Sequence, residues 1–378
     1  MILILCVILL ALVFEYVNGF NDTANSIATV VATKVLSPGQ AVVMAASCNL
    51  LGALAGTAVA STIGQGLVDV AYVSSATIFC GLLGAVMWNL TTWSFGLPSS
   101  SSHALIGGVV GSTLAAAHGD WTVVKLTQTT TVPAVLDPVT HAVIRPAEVH
   151  HGGLLYKVVI PMFTSPVCGL VLGFVCMGLL YYFLRHWRPL WVNRVFGKLQ
   201  LVSSAVMGFS HGLNDAQKTM GIIALSLMAA TKAGAFTTLP AGLDFLRTPE
   251  PQSGQSLEIA LWVKVVCALT MAAGTMAGGW RIIKTLGHKM VRLQPVHGFA
   301  AETAAAFIIQ VASRWGMPLS TTHVISSAIM GVGAAKRASA VKWFIVERMV
   351  WAWILTIPVT ATLGYTFVRF ARAIHWLP

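Results

Sequence analysis

The sequence predicts an all-α protein: a polytopic bundle of transmembrane helices in which two inverted-topology repeats contain broken or re-entrant helices. The first observation behind this prediction is composition. Of the 378 residues, 56% are hydrophobic and 9% are charged, whereas a soluble domain has about a quarter of its residues charged. The other two observations are apolar runs of membrane-spanning length and two polar motifs that each occur twice.

A membrane-spanning helix needs about 20 apolar residues. By that measure the chain has roughly ten membrane segments, or about ten to twelve where a helix breaks or re-enters. Their ranges are 1–35, 40–62, 72–95, 99–117, 153–184, 199–230, 257–280, 297–316, 318–335 and 343–367. Segments 1–35 and 199–230 exceed one crossing, so each is expected to be a long, tilted or broken helix.

Charge in the loops predicts the orientation. Lys and Arg collect in the loops 185–198 and 281–292, which the positive-inside rule places in the cytoplasm. The loops 118–152 and 231–256 have mixed charge and are expected outside, as are both termini. The predicted organisation is a first repeat over 1–184, a basic cytoplasmic linker over 185–198 and a second repeat over 199–378.

The first repeated motif is an Asn-Asp pair inside a hydrophobic segment. It occurs in Gly-Phe-Asn-Asp-Thr-Ala-Asn at 19–25 and again, 193 residues later, in Gly-Leu-Asn-Asp at 212–215. A carboxylate in the bilayer core costs about 2.5 to 3.5 kcal/mol even on the insertion scale, so it should line a cavity or bind a cation. The candidate ligands of the coupling cation are Asn21, Asp22, Asn25, Asn214 and Asp215. If that cation is H+ and not Na+, the two aspartates would carry it.

Two other charged residues leave alternatives open. Lys218 lies three residues after Asp215, so the two could form a purely structural ion pair. Glu302 interrupts a helix rich in small residues, where it either neutralises a bound cation or pairs with Lys218 or Arg314.

The second repeated motif is a proline followed by hydroxyl residues and a histidine. Gly-Leu-Pro-Ser-Ser-Ser-Ser-His at 96–103 returns 220 residues later as Gly-Met-Pro-Leu-Ser-Thr-Thr-His at 316–323. Each proline ends one helix, and the hydroxyls stand where the next begins, a favourable place for an oxyanion. The alternative is that these hydroxyls cap or join packed helices. The candidate anion ligands are Ser99, Ser100, Ser101, Ser102, Ser320, Thr321 and Thr322.

The predicted orientation gives the two copies of the duplicated sequence opposite directions in the membrane. The first segment and the segment 199–230 are expected to cross in opposite directions, which is the arrangement of inverted repeats in many secondary transporters.

Other classes of protein are excluded or disfavoured. A net charge of +11 would suggest nucleic acid in a soluble protein, but here positive-inside loops account for it and no nucleic-acid partner is expected. The sequence has no phosphate-cradling loop with a lysine and no nucleophile at useful spacing from a base. We therefore expect neither an enzyme nor a covalent cofactor.

Taken together, the motifs at 19–25, 96–103, 211–220 and 316–323, with Gly-Phe-Ala-Ala-Glu at 298–302, resemble the signatures of the inorganic phosphate transporter (PiT) family. The resemblance implies a multi-pass protein of the plasma (inner) membrane that takes up inorganic phosphate by symport with Na+ or H+ through alternating access. It also implies phosphate at the hydroxyl clusters and the cation at the Asn-Asp pairs. Its partners would be phosphate and the lipid bilayer, and a homo-oligomer is left open.

Two alternatives stay open at this point. A permease for sulfate or another tetrahedral oxyanion would have the same fold, and an anion channel could line its pore with the same hydroxyls. Buried acids in duplicated halves disfavour free anion conduction. A membrane enzyme acting on phosphorylated lipid is weaker still.

Overall fold

The computed structural model describes residues 2–65, 67–132, 135–136, 143–145, 148–237, 241–249 and 257–376. Within them lie twelve α-helices. They are α1 Ile2–Ala32, α2 Pro38–Leu54, α3 Ala58–Gln65, α4 Ser75–Ser94, α5 Ser101–Ala116, α6 Ile160–Leu184, α7 Pro189–Lys232, α8 Leu261–Ala277, α9 Trp280–Lys284, α10 Pro295–Arg314, α11 Thr321–Lys336 and α12 Trp343–Ala373. The predicted all-α bundle is confirmed.

Short strands occur in the segment 118–152, which joins α5 to α6. Strands β1 (Gln128–Val132) and β4 (Glu148–Gly152) pair antiparallel, as do β2 (Val135–Leu136) and β3 (Val143–Arg145). The tip of the predicted outer loop 231–256 lies partly outside the described residues.

Helices α1 and α7, which carry the two Asn-Asp pairs, pack against each other in opposite directions. Near the middle of α1, Glu15 accepts a hydrogen bond from Thr219 of α7. Further along α1, the carbonyl oxygen of Ser26 accepts one from Ser204, which lies earlier in α7. Later residues of α1 therefore contact earlier residues of α7. The two motif-bearing helices run antiparallel, as inverted repeats require.

Breaks occur in the helices that follow α1 and α7. The axes of α2 and α3 bend by 69° across a short break, and those of α8 and α9 bend by 58°. These pairs occupy equivalent places in the two halves. Segments 1–35 and 199–230 are each expected to be a long, tilted or broken helix, and the structure has long ones: α1 and α7 are continuous helices of 31 and 44 residues. Their length is accommodated without a break.

Two helical hairpins carry the hydroxyl motifs. Helix α4 turns into α5 through residues 95–100, and α10 turns into α11 through residues 315–320. The second residue of each turn is a glycine at positive φ, Gly96 at 64° and Gly316 at 63°. Such a conformation strains any residue with a Cβ, which explains why both repeats have glycine there.

Span lengths refine the predicted segments. Among the described residues, five helices are long and apolar enough to cross a membrane, or up to seven if each bent pair is one span. Helices α5 and α11 have 16 residues each, about 24 Å against a core of about 30 Å. They are the second arms of re-entrant hairpins. Helix α7 is long enough to cross, but polar residues of the site interrupt its apolar sequence, so it is not among the five.

Candidate functional site

The candidate site lies where the two hairpin turns meet. Helices α5 and α11 approach each other with their N-terminal ends, so that Ser102 Oγ donates to the carbonyl oxygen of Leu319 at 3.1 Å. The rings of His103 and His323, one residue after the hydroxyls, are 4.9 Å apart between centroids. Because a helix N-terminus carries a partial positive charge and free N–H groups, two such ends facing each other favour an anion between them.

Asp22 of α1 is held by hydroxyl groups from both hairpins. Its Oδ1 accepts from Thr322 at 3.0 Å, and its Oδ2 accepts from Ser101 at 3.2 Å. The neighbouring Asn25 donates through Nδ2 to Thr321 at 3.2 Å and to Thr322 at 2.9 Å. The first Asn-Asp motif therefore contacts both hydroxyl clusters.

Asp215 of α7 has charged and polar partners. Lys218 Nζ donates to its Oδ1 at 2.5 Å, and Thr321 donates to its Oδ2 at 3.0 Å. His211 Nε2 lies 3.3 Å from Oδ2. Lys218 also donates to Ser102 Oγ and to the carbonyl oxygen of Leu319. The pair of Lys218 with Asp215, which the sequence left open as an alternative, is present, and it joins α7 to both hairpin turns.

Together these residues form what we call the polar centre: Asp22, Asn25, Ser101, Ser102, Asp215, Lys218, Thr321 and Thr322. All of them are buried, with exposed fractions of 1–3%. In a low-dielectric interior, such a concentration of charge and hydroxyl groups is costly unless its members are paired with one another or with a bound ligand.

The other predicted hydroxyls have different partners. Ser100 and Ser320 are the N-caps of α5 and α11, and each accepts from the backbone N–H of the following histidine at 3.2 Å. The hydroxyl of Ser99 lies 2.6 Å from that of Thr92 on α4. These three support the turns. Because Ser99–Ser102 are four identical residues in a row, the sequence could not show which of them cap the helix and which face the polar centre.

The remaining predicted amides lie beside the polar centre. Asn21 donates to the carbonyl oxygen of Asn89 at 3.2 Å, and Asn214 donates to Ser313 Oγ at 2.8 Å. Each amide thus joins its own helix to the first arm of the hairpin in its own half. Their side-chain oxygens are buried and have no hydrogen-bond partner within the described residues.

Glu302 of α10 has only neutral neighbours among its hydrogen-bond partners. Thr29 and Ser203 donate to its two carboxylate oxygens, and Gln200 donates at 3.3 Å. Of the two alternatives for Glu302, pairing with Lys218 or Arg314 does not occur: the Lys218 ammonium is bonded to Asp215, and Arg314 is exposed. Glu302 instead joins α1, α7 and α10.

Three further polar residues adjoin the site without a predicted role. His211 lies four residues before Asp215, and Asn18 lies four residues before Asp22. Ligand atoms of Asp22, His211 and Asp215 lie within 4.8 Å of one another. Glu15, seven residues before Asp22, is fully buried and bonded to Thr219. Helical spacing from the aspartates, three and four residues apart on one face, could have identified His211 and Asn18.

A duplicated bundle of membrane helices that encloses a buried polar centre defines the class of membrane transport proteins. Comparison with known proteins agrees. The sequence profile of the phosphate transporter family matches residues 18–193 and again residues 188–364. The double match confirms the internal duplication.

Similar proteins cover almost the whole chain. A probable low-affinity inorganic phosphate transporter of Bacillus subtilis is 37% identical, with 96% of each chain aligned. One of Mycobacterium bovis is 38% identical over 97% of this chain and 78% of its own. A solved structure described as the sodium-dependent phosphate transporter has a TM-score of 0.77 at 21% identity, covering 99% of this chain and all of the other.

The chain therefore belongs to the phosphate transporter family. This confirms the resemblance seen in the sequence, and with it a multi-pass membrane protein of a family of transporters and not of enzymes. The fold likewise agrees with that of the solved transporter.

Proposed function

We propose that this protein is a secondary active transporter that takes up inorganic phosphate by symport with Na+ across the plasma membrane. The observation that carries the proposal is the convergence of two helix N-termini and of three hydroxyl groups that donate to two buried aspartates. Family membership and relatives named as phosphate transporters support the substrate.

Phosphate would bind between the hairpin turns. Ser101, Ser102, Thr321 and Thr322 supply hydroxyl donors, Lys218 supplies positive charge, and the first N–H groups of α5 and α11 add donors. The serines Ser99, Ser100 and Ser320 would act in support, as neighbours that hold the turns.

The same geometry explains why a cation must accompany the anion. The hydroxyls that would bind phosphate are bonded to the carboxylates of Asp22 and Asp215 at 3.0–3.2 Å. Two like charges about 4 Å apart repel by about 4 kcal/mol at an effective dielectric constant of about 20. A bound cation removes that repulsion, so phosphate binds well only after the cation has bound. This dependence is thermodynamic coupling.

Unpaired amide oxygens favour Na+ over H+ as the coupling ion. Asn18, Asn21 and Asn25 each have a buried side-chain oxygen without a partner in the described part of the chain. Carbonyl and carboxylate oxygens are the ligands of hard cations. A proton needs one carboxylate and would leave the amide oxygens unsatisfied. The alternative, H+ on Asp22, is separated from Na+ by the experiment below.

The carboxylates also favour phosphate over sulfate. Hydrogen phosphate retains an O–H group that Asp22 or Asp215 can accept, whereas sulfate has none at neutral pH. A site that hydrogen-bonds a substrate hydroxyl discriminates strongly against an analogue without it. Arsenate, which keeps an O–H group, should compete with phosphate. An anion channel is disfavoured because the polar centre is enclosed, with exposed fractions of 1–3%.

The enclosed centre and the antiparallel helices α1 and α7 support alternating access. In this view the conformation described here is occluded, and each hairpin can open a path on one side only. The linker 185–198 would then lie in the cytoplasm and both termini outside.

Phosphate uptake into proteoliposomes tests the proposal. Labelled phosphate should accumulate with a Na+ gradient and not when choline replaces Na+, at two pH values. Accumulation that follows the pH gradient alone would favour H+. Arsenate should compete and sulfate should not; strong competition by sulfate would favour the oxyanion permease.

Variants in the same assay test the site. Asp22→Asn and Asp215→Asn should each lower uptake at least about a hundredfold, because each removes a buried charge on which the coupling depends. The matched control is Asp120→Asn, since Asp120 is exposed and only accepts from Thr122 in a loop. Normal uptake by both site variants would overturn the proposal.

A further inference from the structure

The two halves of the polar centre differ at two positions that the duplication makes equivalent. At the spacing of 193 residues that relates Asp22 to Asp215, Asn18 corresponds to His211 and Asn25 corresponds to Lys218. The first half therefore surrounds its aspartate with neutral amides. The second half surrounds its aspartate with a basic residue and an imidazole.

Asp215 already has a cation. The Lys218 ammonium lies 2.5 Å from Oδ1, and both side chains are buried, 3% and 1% exposed. His211 lies against the other carboxylate oxygen at 3.3 Å. A carboxylate paired in this way in the interior has little need of a further ion, and a second cation beside Lys218 would be repelled by it.

Within the described residues, Asp22 makes no hydrogen bond or ion pair with a basic side chain, although a ring nitrogen of His211 lies within 4.8 Å of one of its oxygens. Its hydrogen bonds come from two neutral hydroxyls, Ser101 and Thr322. Around it on the same helix, the side-chain oxygens of Asn18, Asn21 and Asn25 are buried and unpaired within the described residues. Each of these asparagines is at most 4% exposed. A buried carboxylate beside three unsatisfied carbonyl oxygens forms an incomplete coordination shell.

We infer that Lys218 is a resident cation that occupies, in the second half, the place an exchangeable cation takes in the first. The inference rests on the proposed function and makes it more specific. Na+ enters and leaves on the Asp22 side only, with Asn18, Asn21 and Asn25 as its amide ligands. The Asp215 side keeps its positive charge through the whole cycle.

Lys218 also faces the place proposed for phosphate. Its ammonium donates to Ser102 Oγ and, at 2.8 Å, to the carbonyl oxygen of Leu319, both at the hairpin turns. The resident charge therefore offsets part of the charge of the anion. A variant without it should need one more exchangeable cation for each phosphate.

Binding of Na+ alone, without phosphate, tests the assignment. The readout is the rise in the unfolding temperature of the purified protein when NaCl replaces choline chloride, since a ligand that binds the folded state stabilises it. Wild type should be stabilised by Na+. Asp22→Asn should lose the effect, and the double variant Asp215→Asn, Lys218→Asn should keep it.

Several results would overturn the inference. These are the absence of any Na+ effect in wild type, a Na+ effect that survives Asp22→Asn, and a Na+ effect lost in the double variant. The double variant removes a balanced pair and so should fold. If it does not fold, Lys218→Gln supplies the test. In that variant the unfolding temperature should still rise with Na+, and it should depend more steeply on the Na+ concentration than in wild type. If the unfolding temperature of Lys218→Gln depends on the Na+ concentration as it does in wild type, the inference is wrong.

Flux measurements separate this inference from the proposed function. In proteoliposomes, labelled Na+ and phosphate uptake give the number of cations per phosphate. Lys218→Asn, which copies Asn25, should raise that number by about one. If wild type transports no phosphate but Na+ binding follows Asp22, the proposed function fails and the assignment of the cation stands. If transport is intact and the ratio is unchanged in Lys218→Asn, only the inference fails.

Discussion

At the scale of single residues, every hydroxyl of the polar centre is already bonded. Ser101 and Thr322 donate to Asp22, Thr321 donates to Asp215, and Ser102 donates to a backbone carbonyl. An incoming anion must therefore exchange partners with these groups. Such an exchange costs little when the incoming acceptor is also charged, so the hydroxyls are prepared for phosphate without being left unsatisfied.

The hydroxyl of Ser102 should contribute directly to phosphate affinity. It lies between Lys218 Nζ and the Leu319 carbonyl, at the contact of the two hairpins. Hydrogen bonds to charged groups contribute about 1.5 to 3 kcal/mol. Ser102→Ala should therefore raise the KM for phosphate about tenfold or more, with a smaller change in Na+ dependence.

The control for this variant is Ser47→Ala. Ser47 is exposed on α2 and donates only to the carbonyl oxygen of Val43 in its own helix. Its substitution should leave the KM for phosphate unchanged. An equal KM in Ser102→Ala and wild type would remove Ser102 from the phosphate site.

The sequence alone indicated which residues matter here better than how they are arranged. A charge-bearing Asn-Asp pair in an apolar segment identifies Asp22 and Asp215 because the bilayer penalises unpaired carboxylates. Both hydroxyl donors to Asp22 lie on other helices: Ser101 is 79 residues away in the chain and Thr322 is 300 residues away. No local rule connects such positions, so the contacts required the structure.

At the scale of helices, each half packs its hairpin against the last helix of the other half. Gly107 and Gly111 of α5 contact Ile357 and Ala361 of α12. The equivalent Gly331 of α11 contacts Leu170 of α6. Motif spacing revealed the duplication. It could not reveal whether a hairpin packs against the last helix of its own half or of the other half, because both packings give the same repeat in sequence. The predicted domains 1–184 and 199–378 are therefore intertwined units.

Close helix packing should depend on Gly111 and Gly331. A Cβ at Gly111 would lie 2.0 Å from the carbonyl oxygen of Ala361, and one at Gly331 would lie 2.0 Å from that of Leu170. Both contacts are to backbone, so the helices would have to separate. Overpacking of this kind costs about 1 to 3 kcal/mol. Gly111→Ala and Gly331→Ala should each lower the unfolding temperature in detergent.

Gly178→Ala is the matched control, because a Cβ at Gly178 of α6 would meet nothing within 4 Å. It should leave the unfolding temperature unchanged or slightly raised. If all three variants unfold at the wild-type temperature, the α5 and α12 contact is not a tight one.

At the scale of the whole molecule, the hairpins leave the predicted orientation intact. A re-entrant hairpin enters and leaves the membrane on the same side. The two arms of each hairpin count as two crossings in the sequence, so removing both leaves every later loop on the same side as before. The continuous, antiparallel α1 and α7 are consistent with the same count. The excess of Lys and Arg in 185–198 and 281–292 therefore still predicts that these basic segments, which include the start of α7 and most of α9, share one side.

Labelling of single cysteines tests this orientation. Starting from a variant in which Cys6, Cys48, Cys80, Cys168, Cys176 and Cys267 are replaced, one cysteine is introduced at an exposed position: His186, Lys289 or Asp120. In right-side-out membrane vesicles, a membrane-impermeant maleimide should label Asp120→Cys at once. It should label His186→Cys and Lys289→Cys only after the vesicles are opened, because the basic loops are retained on the cytoplasmic side. Labelling of His186→Cys and Lys289→Cys from opposite sides would mean that the number of crossings between residues 198 and 281 is odd, which is incompatible with two inverted halves joined by a cytoplasmic linker.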